Sequence, residues 1–214
     1  MHVVITGANR GIGAALAKGY AARGDTVTGT SRDPEADHTL DVTDPASHRG
    51  FAARLDGTPV DLLVCNAGVY LDKGENLPDG YPAKMWADSF SANVTGVFLT
   101  VQTLLPCLQA AGTGKIAIIS SQMASHERAP GGSYIYRASK AAALNLGRNL
   151  ARDLAPLGVA VGIYHPGWVR TDMGGDSADI SVGEAAAGLM DRFDALDLDT
   201  TGCFKTWDGQ DHPF

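Results

Sequence analysis

The chain has 214 residues, of which 44% are hydrophobic and 19% charged, and its formal net charge at pH 7 is −7. This length and composition indicate one soluble domain with a sizeable core. The negative charge and the lack of any basic run argue against a nucleic-acid partner, because phosphate backbones are bound by clustered Lys and Arg.

The N-terminal segment has no charged start followed by a long apolar core, so it does not resemble a signal peptide. No apolar stretch is expected to reach the roughly 20 residues of a membrane span. Cys65, Cys107 and Cys203 are far apart and lack metal-ligand spacing. We therefore expect a cytoplasmic protein with reduced thiols, no metal and no membrane partner.

Apolar, strand-like runs alternate along the chain with helical patterns. Strands are predicted at 2–7, 26–31, 60–68, 115–121 and 159–167, with a shorter candidate at 38–42 and a late one at 202–207. Helices are predicted at 12–23, 45–55, 84–111, 136–155 and 181–196. The alternation predicts an α/β fold: a single doubly wound, Rossmann-type domain over residues 1–214, with a mainly parallel central sheet.

Two helix starts carry recognisable caps. Asp44 precedes Pro45, which suits the first helical position, so Asp44 is the predicted N-cap. Ser181 with Glu184 forms a predicted capping box at the last helix.

The first predicted strand ends in a glycine-rich turn, "TGANRGIG", at residues 6–13. Glycines permit a tight turn and let a pyrophosphate approach the backbone, while the following helix offers free N–H groups. This favours a dinucleotide site over an ordinary glycine turn. The predicted cofactor contacts in this turn are Gly7, Asn9, Arg10, Gly11, Ile12 and Gly13.

The second predicted strand ends in Ser31, Arg32 and Asp33, where a bound dinucleotide places its adenosine ribose. An arginine accommodates a 2′-phosphate, whereas an acidic residue prefers a free 2′-hydroxyl. Arg32 comes first and Arg10 could approach the same phosphate, so NADP(H) is favoured and NAD(H) stays open. The alternative is that Arg32 and Asp33 are solvated loop charges.

The later strand ends add further candidates to the same edge. Asp44 suits the helix cap, so Asp41 is left free to accept a hydrogen bond from an adenine amino group, with Val42 beside it. The small residues of "CNAG" would let the backbone lie against a flat ligand; the predicted contacts there are Asn66, Ala67 and Gly68.

Tyr136 lies four residues before Lys140 in "SYIYRASKAAAL", a spacing that puts both side chains on one face of a helix. Such a pair is weak evidence for a function when it stands alone, because the chain has six tyrosines and one can precede a lysine by chance. It gains meaning from the serine pair at 120–121 upstream and from "HPGWVRTDM" at 165–173 downstream.

Taken together and in this order, TGxxxGxG, NAG, the serine pair, YxxxK and PGxVxTxM resemble the short-chain dehydrogenase/reductase family over nearly the whole chain. "LDVTDP" and "DGQDHPF" more narrowly resemble its C-factor and sniffer-like carbonyl reductase branch. The resemblance implies an NAD(P)(H)-dependent oxidoreductase that interconverts a carbonyl and an alcohol on a small-molecule substrate. A nucleotide-binding signalling protein with little turnover is the alternative, and a homodimer is an open expectation.

The resemblance also assigns roles. Tyr136 would be the general acid/base, Lys140 would lower the pKa of Tyr136 and bind the nicotinamide ribose, and Ser121 would bind the substrate oxygen. Asn93 would hold a water in a proton relay, unless it is simply a helix-interior amide bonded to backbone. The segment lining the nicotinamide and pyrophosphate would contribute Pro166, Gly167, Val169 and Thr171.

Overall fold

The computed structural model describes all residues, 1–214, and its centre is one parallel sheet of six strands. The six strands lie in the order β2-β1-β3-β4-β5-β6, and every neighbouring pair is parallel. Their bounds are β1 His2–Thr6, β2 Thr26–Thr30, β3 Leu62–Cys65, β4 Lys115–Ile119, β5 Ala160–His165 and β6 Phe204–Thr206. The interior strands β3 and β5 are buried at every position, as expected for strands covered on both faces.

Six helices cover the two faces of this sheet and confirm the doubly wound prediction. They are α1 Gly11–Ala22, α2 Pro45–Leu55, α3 Ala83–Phe90, α4 Gly96–Ala110, α5 Tyr134–Leu154 and α6 Val182–Asp194. One core cluster joins the sheet to α2, α4 and the end of α5 through residues such as Phe51, Leu104 and Leu154. The other joins the sheet to α1 and α6 through Leu16 and Phe193.

The predicted strand at 38–42 is wrong. The structure keeps only an isolated parallel bridge between Ser31 and Thr39 beside β2. Parallel strands require a crossover of about a dozen residues or more, and the chain at 32–38 is too short to supply one. Because no helix and no full edge strand form there, the chain runs as a loop directly to α2.

The predicted helix at 84–111 is interrupted by a π-helical turn, Ser91–Thr95, between α3 and α4. By length and composition alone, the run Ala83–Ala110 could cross a membrane, which corrects the expectation that no such stretch exists. Half of its most apolar window is buried inside the fold, however. Burial of that kind is typical of a core helix.

Both predicted caps are confirmed. The Asp44 carboxylate accepts hydrogen bonds from the backbone N–H groups of Ala46 at 2.8 Å and Ser47 at 3.2 Å. At α6, the Ser181 hydroxyl accepts from the Glu184 N–H, and the Glu184 carboxylate accepts from the Ser181 N–H.

Candidate active site

A cleft of about 570 Å³ opens at the carboxyl ends of the strands. In an open parallel sheet, this is the edge where ligands bind. Most of the predicted cofactor residues line it: Gly7, Asn9, Arg10, Gly11, Ile12, Ser31, Arg32, Asp41, Val42, Asn66, Ala67, Gly68, Tyr136, Lys140, Pro166 and Thr171. The sequence reasoning did not assign several other lining residues: Leu40, Thr43, Val69, Ala92, Ile119, Ser120, Arg170, Asp172, Met173 and Val182.

The glycine turn is held against the end of β3. Gly7 adopts φ 67°, a left-handed conformation that favours glycine. A Cβ on Gly13 would lie 2.3 Å from the Gly7 carbonyl oxygen, so Gly13 serves close packing and does not itself line the cleft. The Asn66 side-chain amide donates to the carbonyls of Thr6 at 2.9 Å and Gly7 at 3.0 Å, which ties the turn to the neighbouring strand.

At the end of the cleft next to β2, Arg32 and Asp33 are both exposed but differ in their partners. The Asp33 carboxylate accepts a hydrogen bond from the Glu35 N–H at 3.0 Å. Arg32 takes part in none of the ion pairs of the structure. Its guanidinium is therefore the uncommitted charge at this position.

Asp41 lies beside this pair and folds back on its own segment. Its carboxylate accepts from the N–H and the hydroxyl of Thr43, at 2.9 and 2.7 Å. Burial raises the pKa of Asp41, but the two Thr43 hydrogen bonds and the positive charge of Arg32 lower it, and the net direction is down. Asp41 is thus an ionised carboxylate, and one of its two oxygens already accepts hydrogen bonds from Thr43.

Arg10 crosses the cleft to the segment that follows β5. Its Nη1 lies 2.5 Å from Oδ2 of Asp172, and both side chains are exposed. The sequence reasoning placed Arg10 near the 2′-phosphate, whereas here its charge is paired with an aspartate that the motifs did not indicate. Exposed ion pairs contribute little, so this contact can be exchanged for a ligand.

At the opposite end of the cleft, Tyr136 and Lys140 lie on the same face of α5 and are almost completely buried. The Lys140 ammonium is 5.6 Å from the centroid of the Tyr136 ring and donates to the Ile119 carbonyl at 2.9 Å. Burial lowers the pKa of Lys140 to about 8. Burial also raises the pKa of the Tyr136 phenol well above its ordinary value, and Ser121 only partly offsets this. The expected lowering of the Tyr136 pKa by Lys140 is therefore not found in this structure, in which burial of the phenol outweighs the other contributions.

The two serines after β4 have different partners. The Ser120 hydroxyl donates to the Lys140 carbonyl at 3.0 Å and so anchors α5. The Ser121 hydroxyl accepts from the Met123 N–H at 3.1 Å and lies near enough to the Tyr136 phenol to lower its pKa, although Ser120 is the serine that lines the cleft. Of the pair, Ser121 is the one placed beside the phenol.

Asn93 lies in the π-helical turn and is 1% exposed. Its side chain exchanges two hydrogen bonds with the backbone of Val69, at 2.8 and 2.9 Å, and donates to the Ser139 hydroxyl at 2.9 Å. The amide therefore joins the segment after β3 to α5. This agrees with the second expectation for Asn93, an amide inside a helix that bonds to backbone groups.

The segment after β5 splits into two groups. Pro166 and Thr171 line the cleft, while Gly167 and Val169 support the segment from behind. Gly167 has φ 89°, and a Cβ there would meet Ile180 at 2.5 Å.

Two residues that no motif indicated complete this end of the site. The ring of Tyr70 stacks on Tyr136 with centroids 4.2 Å apart, and its hydroxyl is 2.5 Å from the Ser133 hydroxyl. The Asp72 carboxylate is buried and accepts from the backbone of Ile135 and Tyr136. The only signal in the sequence is an acidic residue six positions after Asn66, which is too general to identify a role.

Comparison with known proteins places the chain in a family. The profile of the short chain dehydrogenase family matches residues 1–180. The C-signal of Myxococcus xanthus is 35% identical over 167 residues, covering 78% of this chain and 99% of that protein. The 1-hydroxy-2-glutathionyl-2-methyl-3-butene dehydrogenase of a Rhodococcus species is 32% identical over 224 residues, covering 97% and 96%.

Solved structures agree with these sequence relatives. The NADPH-bound carbonyl reductase from chicken fatty liver superimposes with a TM-score of 0.91 at 30% identity, over 100% of this chain and 98% of that one. The chain therefore belongs to the short-chain dehydrogenase family and is an NAD(P)-dependent oxidoreductase.

Proposed function

We propose that the protein reduces a small carbonyl compound to an alcohol with NADPH, using Tyr136 as the general acid. The observation that carries this proposal is the buried Tyr136–Lys140 pair, with the Ser121 hydroxyl near the phenol, at one end of a cleft lined by the glycine turn. When bound, the cofactor would supply a hydride to the carbonyl carbon.

The backbone around the cleft fits a flat dinucleotide. Gly7 and Gly68 present no side chains there, and a Cβ on Gly68 would lie 3.0 Å from Oδ1 of Asn93 and 3.5 Å from Nζ of Lys140. The start of α1 offers the unpaired N–H groups and the positive end of a helix dipole to a pyrophosphate.

The protonation states favour the reductive direction. Because burial raises the pKa of Tyr136, the phenol holds its proton at neutral pH and can donate it to the developing alkoxide. Ser121 would hold the carbonyl oxygen next to the phenol by a hydrogen bond. Lys140, with its pKa near 8, is mostly an ammonium at pH 7 and would donate to the ribose hydroxyls.

NADP(H) is the proposed cofactor because Arg32 is uncommitted while Asp33 is bonded to its own loop. The chicken carbonyl reductase holds NADPH, and a 29% identical dehydrogenase from Burkholderia multivorans holds NADP. Both observations support a 2′-phosphate beside Arg32.

The direct experiment is a panel of ketones, aldehydes and quinones incubated with purified protein, with NADPH absorbance as the signal. We expect turnover of at least one class, abolished by Tyr136→Phe. Cofactor binding without turnover of any member would contradict the proposal.

The second candidate is a nucleotide-binding signalling protein with little turnover, which the 35% identity to a protein named C-signal favours. Such a role needs the nucleotide but not the phenol. If Tyr136→Phe binds NADPH normally and retains biological activity in cells, this second candidate gains support over the enzyme.

A further inference from the structure

The helix that carries the proposed catalytic tyrosine has no cap of its own. Ser133 is at the N-cap position of α5, yet its side chain accepts no hydrogen bond from the helix and its backbone is left-handed, with φ 48°. The Ser133 hydroxyl is instead bonded to the hydroxyl of Tyr70. The first N–H groups of a helix need acceptors, and a buried one left unpaired is costly.

Asp72 supplies these acceptors from a segment 63 residues earlier in the chain. Its Oδ2 accepts from the Ile135 N–H at 2.8 Å and from the Tyr136 N–H at 3.3 Å, and its Oδ1 accepts from the Tyr136 N–H at 3.2 Å. One oxygen in the Oδ2 position therefore reaches both amides, which an asparagine at this site would preserve. The neighbouring side chains of Leu71 and Lys73 are exposed, whereas Asp72 is 1% exposed and forms no ion pair. The carboxylate therefore points inward, and its charge is balanced only by the helix start.

Helix capping alone does not require this charge. A buried carboxylate costs far more than a neutral group, and serine or asparagine caps a helix about as well as aspartate does. We propose that Asp72 is a positioning residue for proton transfer, which fixes Tyr136 through its backbone amide and holds a negative charge at the start of the helix that carries the phenol. This inference rests on the proposed function.

Four groups from three segments surround Tyr136, and three of them, Ser121, Tyr70 and Asp72, change the pKa of its phenol. Lys140 approaches from the same helix, Ser121 from the segment after β4, and Tyr70 and Asp72 from the segment after β3. Burial contributes most to the raised pKa of Tyr136, and Tyr70 and the charge of Asp72 raise it further. Tyr81 is a second phenol whose pKa is raised by burial and by the Asp72 charge.

The sign of the effect follows directly. A carboxylate near the phenol disfavours phenolate, so it extends to higher pH the range over which Tyr136 can donate a proton. A substitution that removes the charge of Asp72 but keeps an acceptor oxygen should narrow the pH range over which Tyr136 can donate a proton.

The test compares wild type with Asp72→Asn, measuring kcat for carbonyl reduction against pH at saturating NADPH. We expect the alkaline limb of Asp72→Asn to move to lower pH by a fraction of a unit, because the Asp72 charge is the smallest of the contributions that raise the pKa of Tyr136. Asp44→Asn is the control: it neutralises a carboxylate that also accepts from two N–H groups at a helix start, but one that is exposed and belongs to α2, so its profile should keep the wild-type shape. A profile of Asp72→Asn that superimposes on wild type would overturn the inference.

A second measurement does not depend on turnover. Hydrogen exchange at the Ile135 and Tyr136 amides should be faster in Asp72→Ala than in wild type, with Asp72→Asn close to wild type. Wild-type protection in Asp72→Ala would equally overturn the inference. If the wild-type protein reduces no carbonyl, the proposed function fails, and the exchange rates still decide whether Asp72 holds the helix start.

Discussion

The two ends of the cleft are built on opposite principles. At the end proposed for the nicotinamide, Tyr136, Lys140, Asn93 and Asp72 are each at most 8% exposed, and partners from separate segments surround them. At the adenosine end, Arg32 and Asp33 are exposed on a loop that replaces an edge strand. Proton transfer requires desolvated groups in fixed positions, whereas recognition of a phosphate requires only an available charge.

This difference predicts that substitutions at the two ends have different kinds of effect. Changes at the buried end should alter the chemistry and its pH dependence. Changes at the exposed end should alter which cofactor binds and leave the chemical step intact. Four experiments test this contrast between the two ends.

The largest effect is expected for Tyr136→Phe. Without the hydroxyl no group donates the proton, and general acid catalysis supplies roughly 10²–10⁴-fold in rate. The ring and its stacking on Tyr70 are kept, so NADPH affinity measured by fluorescence titration should stay near that of wild type. Activity above about a tenth of wild type would remove Tyr136 from the role of general acid.

The next effect concerns cofactor choice. A hydrogen bond to a charged partner contributes about 1.5–3 kcal/mol, which is roughly 10- to 150-fold in affinity. Arg32→Asp should therefore cost that much for NADPH and reverse the preference, since it replaces attraction by repulsion. The measurement is kcat/KM with NADPH and NADH, at one carbonyl substrate and fixed salt.

Two results would reassign the residues of this end. A wild-type preference for NADH would mean that Asp33 faces the ribose. An NADPH preference that survives Arg32→Asp would transfer the role to Arg10, after it exchanges its pairing with Asp172 for the phosphate.

Features of the site formed by residues close together in the sequence were predicted, whereas features that join distant segments were not. The glycine turn, the YxxxK pair and the Asp44 cap are local patterns, and each is found where predicted. The Asp72 cap and the pairing of Arg10 with Asp172 join segments 63 and 162 residues apart, so no local spacing reveals them. The prediction of an edge strand at 38–42 was wrong for a related reason. Strand propensity does not show whether the chain at 32–38 is long enough to cross over to a parallel strand.

A smaller effect is expected in the pH dependence of NADPH binding by the free protein. The pKa of Lys140, lowered by burial to about 8, means that its ammonium is present below that pH and lost above it. Affinity should weaken up to about tenfold between pH 7 and 9, since the protonated fraction falls by that factor. Lys140→Ala should bind more weakly at all pH values and lose this dependence; an unchanged slope in the variant would assign the titration to another group.

The smallest effect tests the exposed end for structural tolerance. Asp44 caps α2 from an exposed position, close in sequence to Asp41 and Thr43 of the cleft. Asp44→Ala removes acceptors for two helix N–H groups that water can partly satisfy, so we expect a loss of about 1 kcal/mol in the free energy of unfolding. For a chain of this length that corresponds to a fall in Tm of about 2–4 °C. The rate at saturating NADPH should not change, because the cap lies far along the cofactor from the reacting atoms. If Asp44→Ala instead lowers kcat, the two ends of the cleft are coupled through the sheet, and the contrast between them does not hold.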